Sequence, residues 1–176
     1  AALALPGQVA AELAALQAGL PVGRPVAEET MHITLGFFGE QPEPVVEDLH
    51  LALGAIAAPA PEIHLAGLGL FGGTKPRSLH VAVRPDPALK ALRDRVRQAA
   101  RETGIDMARE KFVPHVTLAR FAATLPPEDL EALHRFLARR MGRAEAVFTP
   151  DCFTLYRSHL TRNGPVYEPL AEYPLD

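Results

Sequence analysis

The sequence contains one cysteine, no tryptophan, a single asparagine and no long apolar run. Cys152 stands alone, so no disulfide can close within the chain and no multi-cysteine metal site can form. A reducing cytoplasm is the expected compartment. No stretch reaches the ~18 apolar residues a membrane span needs, and no basic segment precedes a small-residue cleavage site, which sets aside a membrane protein. An excess of charge of one sign is also missing: 18 basic and 21 acidic side chains give a formal charge of −3. A protein that grips duplex DNA through many phosphates would be basic, whereas this balance still permits contact with one nucleotide end. Arginine outnumbers lysine fifteen to three, a compositional bias on which nothing functional rests. The chain opens at Ala1 and not at a methionine, as expected of a sequence lacking its first residues.

What is present suffices for a sizeable core: 176 residues, 48% of them hydrophobic. No low-complexity linker divides the chain, so residues 1–176 are expected to form a single domain. Four stripes have helical spacing: Val9, Leu13, Leu16 and Leu20; Val45, Leu49, Leu53 and Ile56; Leu89, Leu92, Val96 and Ala99; Leu130, Leu133, Leu137 and Met141. The third opens with Asp86 as N-cap and Pro87 in the first position, and stops at Gly104. The fourth follows Pro126 and Pro127 and precedes Gly142. Strand-like stretches run over Met31–Phe38, Ile63–Phe71, Ser78–Arg84, Phe112–Phe121, Ala146–Tyr156 and Val166–Tyr173. The expected class is α+β, with helices on the outer faces of the sheets.

An internal repeat organises these elements. Met31-His32-Ile33-Thr34-Leu35-Gly36-Phe37-Phe38 returns in outline as Pro114-His115-Val116-Thr117-Leu118-Ala119-Arg120-Phe121, with the two histidines close to half a chain apart. The repeat points to a duplicated, bilobal fold of two pseudo-symmetric lobes, which would bring both motifs to one cleft if the lobes face each other. In a strand, residues two apart share a face. His32 and Thr34 therefore look one way while Ile33, Leu35 and Phe37 look the other, and His115 and Thr117 likewise oppose Val116 and Leu118.

Two imidazoles and two hydroxyls meeting across a cleft suit phosphodiester cleavage without a metal. With an ordinary pKa of ~6.5, one histidine can be neutral and the other protonated near neutrality, so one accepts a proton from the attacking group and the other supplies one to the departing oxygen. Chemistry alone does not say which is which. Threonine hydroxyls can donate to non-bridging phosphate oxygens, and β-branching suits a strand. The blander alternative is a duplicated sheet whose histidines merely fill an interface.

On these motifs the sequence resembles the 2H phosphoesterase superfamily, and within it the RNA 2′,3′-cyclic phosphodiesterase (2′-5′ RNA ligase) family. Gly23-Arg24-Pro25-Val26 leading to His32-Ile33-Thr34-Leu35 and Phe37-Phe38-Gly39-Glu40 is similar to its first motif. Phe112-Val113-Pro114-His115-Val116-Thr117-Leu118-Ala119-Arg120 is similar to its second, and Phe153 to Ser158 with Gly164 to Leu170 resembles its C-terminal strand pair. The resemblance implies a bilobal fold with two antiparallel sheets facing a central cleft, and no metal or organic cofactor. It implies a monomer acting on RNA 3′ ends or small nucleotide cyclic phosphates, and hydrolysis of a terminal 2′,3′-cyclic phosphate to a 2′-phosphomonoester, reversible in principle as 2′-5′ ligation. It makes His32 the proton donor and His115 the proton acceptor, with Thr34 and Thr117 on the phosphate. Arg120 falls where the family often has a basic residue, but strict alternation turns it away from His115 and Thr117.

Alternatives remain: a relative acting on another small cyclic phosphate or a 2′-5′ oligonucleotide, or a nucleotide-binding module without turnover. His50, His64, His80, His134 and His159 read as structural or surface residues, with His64 and His80 the two that strand alternation allows near the cleft. Phe38 and Phe121 hold equivalent positions six residues after each motif histidine and read as packing. No short-range histidine pair of the kind zinc prefers is present.

Overall fold

The computed structural model describes residues 1–108, 111–140, 144–161 and 164–176. Met141 and Gly142, expected at the end of the fourth helix, lie outside the described residues. In chain order the elements are β1 (Ala2–Ala4), α1 (Gly7–Gln17), β2 (Arg24–Pro25), β3 (His32–Thr34), α2 (Glu43–Gly54), β4 (Ile63–Phe71), β5 (Ser78–Val83), α3 (Pro87–Glu102), β6 (His115–Arg120), α4 (Pro127–Arg140), β7 (Val147–Phe148), β8 (Cys152–Thr161) and β9 (Gly164–Pro174).

The α3 boundaries follow from local chemistry. Asp86 Oδ1 accepts a 2.7 Å hydrogen bond from the Leu89 amide, Pro87 occupies the first turn, and Gly104 at φ +82° lets the chain leave. Its stripe of Leu89, Leu92, Val96 and Ala99 is buried against the sheet, whose inward side chains include Leu3, Ile33, Leu79, Val81, Val116 and Phe153.

All strand pairings are antiparallel, in the order β7-β4-β5-β6-β3-β1-β8-β9, with β2 also paired to β6. The two expected sheets are thus hydrogen-bonded to each other, through Ile33 of β3 and Val116 of β6. The strands on either side of that junction do not follow the two halves of the sequence. β3 and β1 from the first half are extended by β8 and β9, while β6 is extended by β5 and β4.

Several boundaries differ from the sequence reading, each for a physical reason. β3 ends at Thr34, because the Leu35 and Gly36 amides both turn to the Ala1 carbonyl. Phe37 consequently leaves the buried face predicted for it and is 77% exposed. β6 starts at His115 and not at Phe112, Pro114 having no amide hydrogen for a ladder. The stretch Ala146–Tyr156 divides into β7 and β8 on either side of Pro150.

Candidate active site

His32 and His115 lie on adjacent strands and are oriented identically. The Nδ1 of His32 is 2.7 Å from the Thr30 carbonyl oxygen, and that of His115 is 2.8 Å from the Val113 carbonyl oxygen, two residues upstream in each case. A carbonyl can only accept, so both Nδ1 atoms carry hydrogen and donate, and Nε2 is the nitrogen left for a ligand. Antiparallel pairing at Ile33 and Val116 runs the register so that His32 stands across from Thr117 and Thr34 across from His115. All four side chains line one large cleft.

Three β-bulges decide what else faces it. Between β5 and β6, Leu79 pairs with Ala119 but His80 with Thr117, leaving Leu118 as an extra residue. The extra residue reverses alternation, so Leu118 and Ala119 are both buried and Arg120 returns to the cleft face. The orientation expected of Arg120 from strict alternation is therefore corrected. The displaced Leu118 carbonyl accepts from the Val26 amide at 2.7 Å and from Gln17 Nε2 at 2.7 Å, so the bulge is fully bonded. Between β4 and β5 an extra residue at Ala66–Gly67, with Gly67 at φ +81°, puts Phe71 on the cleft side. Between β8 and β9, Leu170 is extra, and Tyr167 joins Tyr156 on the side of His32. The Tyr167 ring lies edge-on to His32 at 4.9 Å between centroids, and Tyr156 is 6.4 Å away.

Sequence reasoning did not find Phe71, Tyr156, Tyr167 or Arg24 as site residues. Arg24 is the cross-strand partner of Arg120, and both line the cleft. Among the described residues no acidic side chain pairs with either. Two like charges directly opposite each other are unfavourable unless an anion lies between them. Gly23 makes this approach possible: at φ +97°, a Cβ there would sit 2.5 Å from the Phe121 ring.

Of the other histidines, His64 meets Glu62 at 2.6 Å, His159 meets Glu168 at 2.8 Å, and His50 meets the Tyr173 hydroxyl at 2.9 Å. His134 is exposed on α4. His80 alone joins the centre, buried beside His115. Phe38 and Phe121 pack partly against the core at the edge of the cleft.

Burial holds the His32 pKa below its ordinary value, against the bond to the Thr30 carbonyl, which raises it; the charges of Arg120 and His115 lower it further. Among the described residues no cluster of three or more histidine, cysteine or acidic side chains is placed to hold a metal.

Residues 5–162 match the family profile described as the 2′-5′ RNA ligase superfamily. The chain belongs to that superfamily. It is 38% identical over 159 residues to the RNA 2′,3′-cyclic phosphodiesterase of Geobacillus stearothermophilus, a match covering 89% of this chain and 49% of the relative. The chain thus spans about half the length of that relative. It is 36% identical to the RNA 2′,3′-cyclic phosphodiesterase of Aeropyrum pernix, covering 88% of this chain and 86% of the relative. Among solved structures, the LigT protein of E. coli complexed with 3′-AMP superposes with a TM-score of 0.80 at 28% identity, covering 99% of this chain and 95% of the other. The mixed helix and antiparallel-sheet fold is that of these superfamily phosphoesterases.

Proposed function

We propose that this superfamily member is an RNA 2′,3′-cyclic phosphodiesterase that opens the terminal cyclic phosphate to a 2′-phosphomonoester. The observation that carries the reading is the paired placement of two Nδ1-anchored histidines, each across the strand from the other motif's threonine. His115 Nε2 takes a proton from water as the water oxygen bonds to phosphorus. The bond from phosphorus to the 3′ oxygen breaks, and His32 Nε2–H supplies the proton that makes it a hydroxyl. Each Nδ1–H stays bonded to its carbonyl throughout, so both rings change protonation at Nε2 without rotating. Thr34 and Thr117 donate to the non-bridging oxygens, where negative charge is concentrated. Arg120, with Arg24 opposite, balances the charge of the phosphate. With a 5′-hydroxyl attacking in place of water, the same two proton transfers join the ends through a 2′-5′ linkage as the 3′ oxygen departs.

In this reading the substrate is an RNA 3′ end or a small nucleotide cyclic phosphate, and the protein works as a cytoplasmic monomer. Among the described residues no helix is long and apolar enough to cross a membrane. The test is hydrolysis of a short RNA ending in a 2′,3′-cyclic phosphate, with EDTA present, by wild type and by His32→Ala and His115→Ala. The expected result is a 2′-phosphate product from wild type, with each variant slower by about 10²–10⁴-fold. Tight nucleotide binding without turnover by wild type overturns the enzyme in favour of a binding module. Undiminished variants overturn the two-histidine mechanism.

A further inference from the structure

Among the described residues His80 is the one buried histidine, its Nδ1 finds no hydrogen-bond partner there, and it stands against the candidate proton acceptor. Its ring is stacked on Phe71, with centroids 3.9 Å apart and planes 18° from parallel. His115 meets the same pair edge-on, 4.7 Å from Phe71 and 5.5 Å from His80. The backbone is arranged to admit this stack. His80 pairs across the strands with Thr117 on one side and Gly69 on the other. A Cβ on Gly69 would lie 2.8 Å from His80 Nε2, so only glycine leaves room for the imidazole there. The bulge at Ala66–Gly67 brings Phe71 over the top.

We propose that the Phe71–His80 stack is the positioning element for His115, fixing its ring plane so that Nε2 stays turned to the cleft. The proposal rests on the reading of His115 as proton acceptor. A polar side chain whose Nδ1 is buried and unbonded serves here through its flat ring. His80 also stays uncharged in this role: burial first, and the charge of His115 second, push its pKa down to about 4. A second positive charge beside His115 would oppose proton uptake, whereas a neutral ring does not. The other groups that share this electrostatic environment are His32 on β3, which senses the charge of His115, and Arg120 on the same strand as His115, which acts on His32.

The experiment combines steady-state kinetics with NMR of the His115 Nδ1–H proton at a fixed pH, in wild type and in Phe71→Leu, His80→Ala, His80→Phe and Gly69→Ala. Phe71→Leu is expected to lower kcat about tenfold with KM within about twofold, and to broaden the His115 Nδ1–H resonance as its bond to the Val113 carbonyl loosens. His80→Ala should lose about as much kcat, and His80→Phe, which restores a flat ring, should recover most of it. Gly69→Ala reaches the stack from the side away from substrate and should reproduce the kcat loss even if His80→Ala fails to fold. An unchanged His115 Nδ1–H resonance in Phe71→Leu overturns the proposal, as does a loss in His80→Phe equal to that in His80→Ala. The resonance reads His115 without substrate, so absence of hydrolysis by wild type would overturn the functional reading while the positioning role is still decided.

Discussion

Ile33 pairs with Val116, and this one antiparallel contact places each motif histidine across from the threonine of the other motif. Both residues are fully buried, so the hydrophobic core itself holds the two motifs in register. A slip of one residue would turn the histidines toward the core.

Each threonine is expected to act through its hydroxyl alone. Thr34→Val and Thr117→Val keep shape and strand propensity but remove the donor, and a hydrogen bond to a charged group is worth roughly 1.5–3 kcal/mol. Each should lower kcat/KM by about tenfold or more, and serine should restore most of it. Kinetics of the four variants on a cyclic-phosphate RNA check this, and a valine variant equal to wild type would remove that residue from the phosphate site.

Arg120 is expected to trade stability for binding. It faces Arg24 across the strands with no acidic partner among the described residues. Arg120→Met should relieve a like-charge pair and stabilise the ligand-free protein by a few tenths of a kcal/mol. The same change should raise KM about tenfold and flatten its dependence on salt. Thermal unfolding and KM at two ionic strengths are the measurements; a loss of stability with unchanged KM contradicts the assignment.

Gln17 does not line the cleft but bonds the Leu118 carbonyl at 2.7 Å and the Val26 carbonyl at 2.8 Å. Gln17→Leu leaves these carbonyls with fewer donors around the bulge that aims Arg120. The expectation is a cost of about 1 kcal/mol in stability together with a several-fold rise in KM. Urea unfolding and kinetics separate the two effects, and a KM equal to wild type would show that the bulge holds without it.

The protein should lose stability as the pH falls from about 6.5 to 4. In the fold His80 has a pKa of about 4, below the ~6.5 of an unfolded chain, so the unfolded state takes up the proton first over that window. Below pH 4 this group costs nothing more. His80→Phe lacks the effect, and its stability advantage over wild type should grow on the order of 2 kcal/mol between pH 7 and pH 4. His32 shifts in the same direction but is common to both proteins and cancels. Urea unfolding at the two pH values checks this, and a constant difference would mean His80 is not held neutral by the fold.

Local sequence determined the reacting groups and much of the frame. The two His-x-Thr strands, the buried faces of Ile33, Val116 and Leu118, and the Asp86-Pro87 start of α3 are set by alternation, by propensity and by a cap that a few neighbouring residues complete. The tertiary structure decided what surrounds those groups. A bulge exists only relative to a partner strand, and β6 finds β5 and β3, while β9 finds β8, by long-range packing that no local window contains. Each extra residue reverses the face of everything beyond it, which is why Arg120, Phe71 and Tyr167 reach the cleft although strict alternation along their own strands sends them elsewhere. His80 needed no bulge, but its place depends on an empty Cβ position across the strand and a ring above it, and both belong to β4.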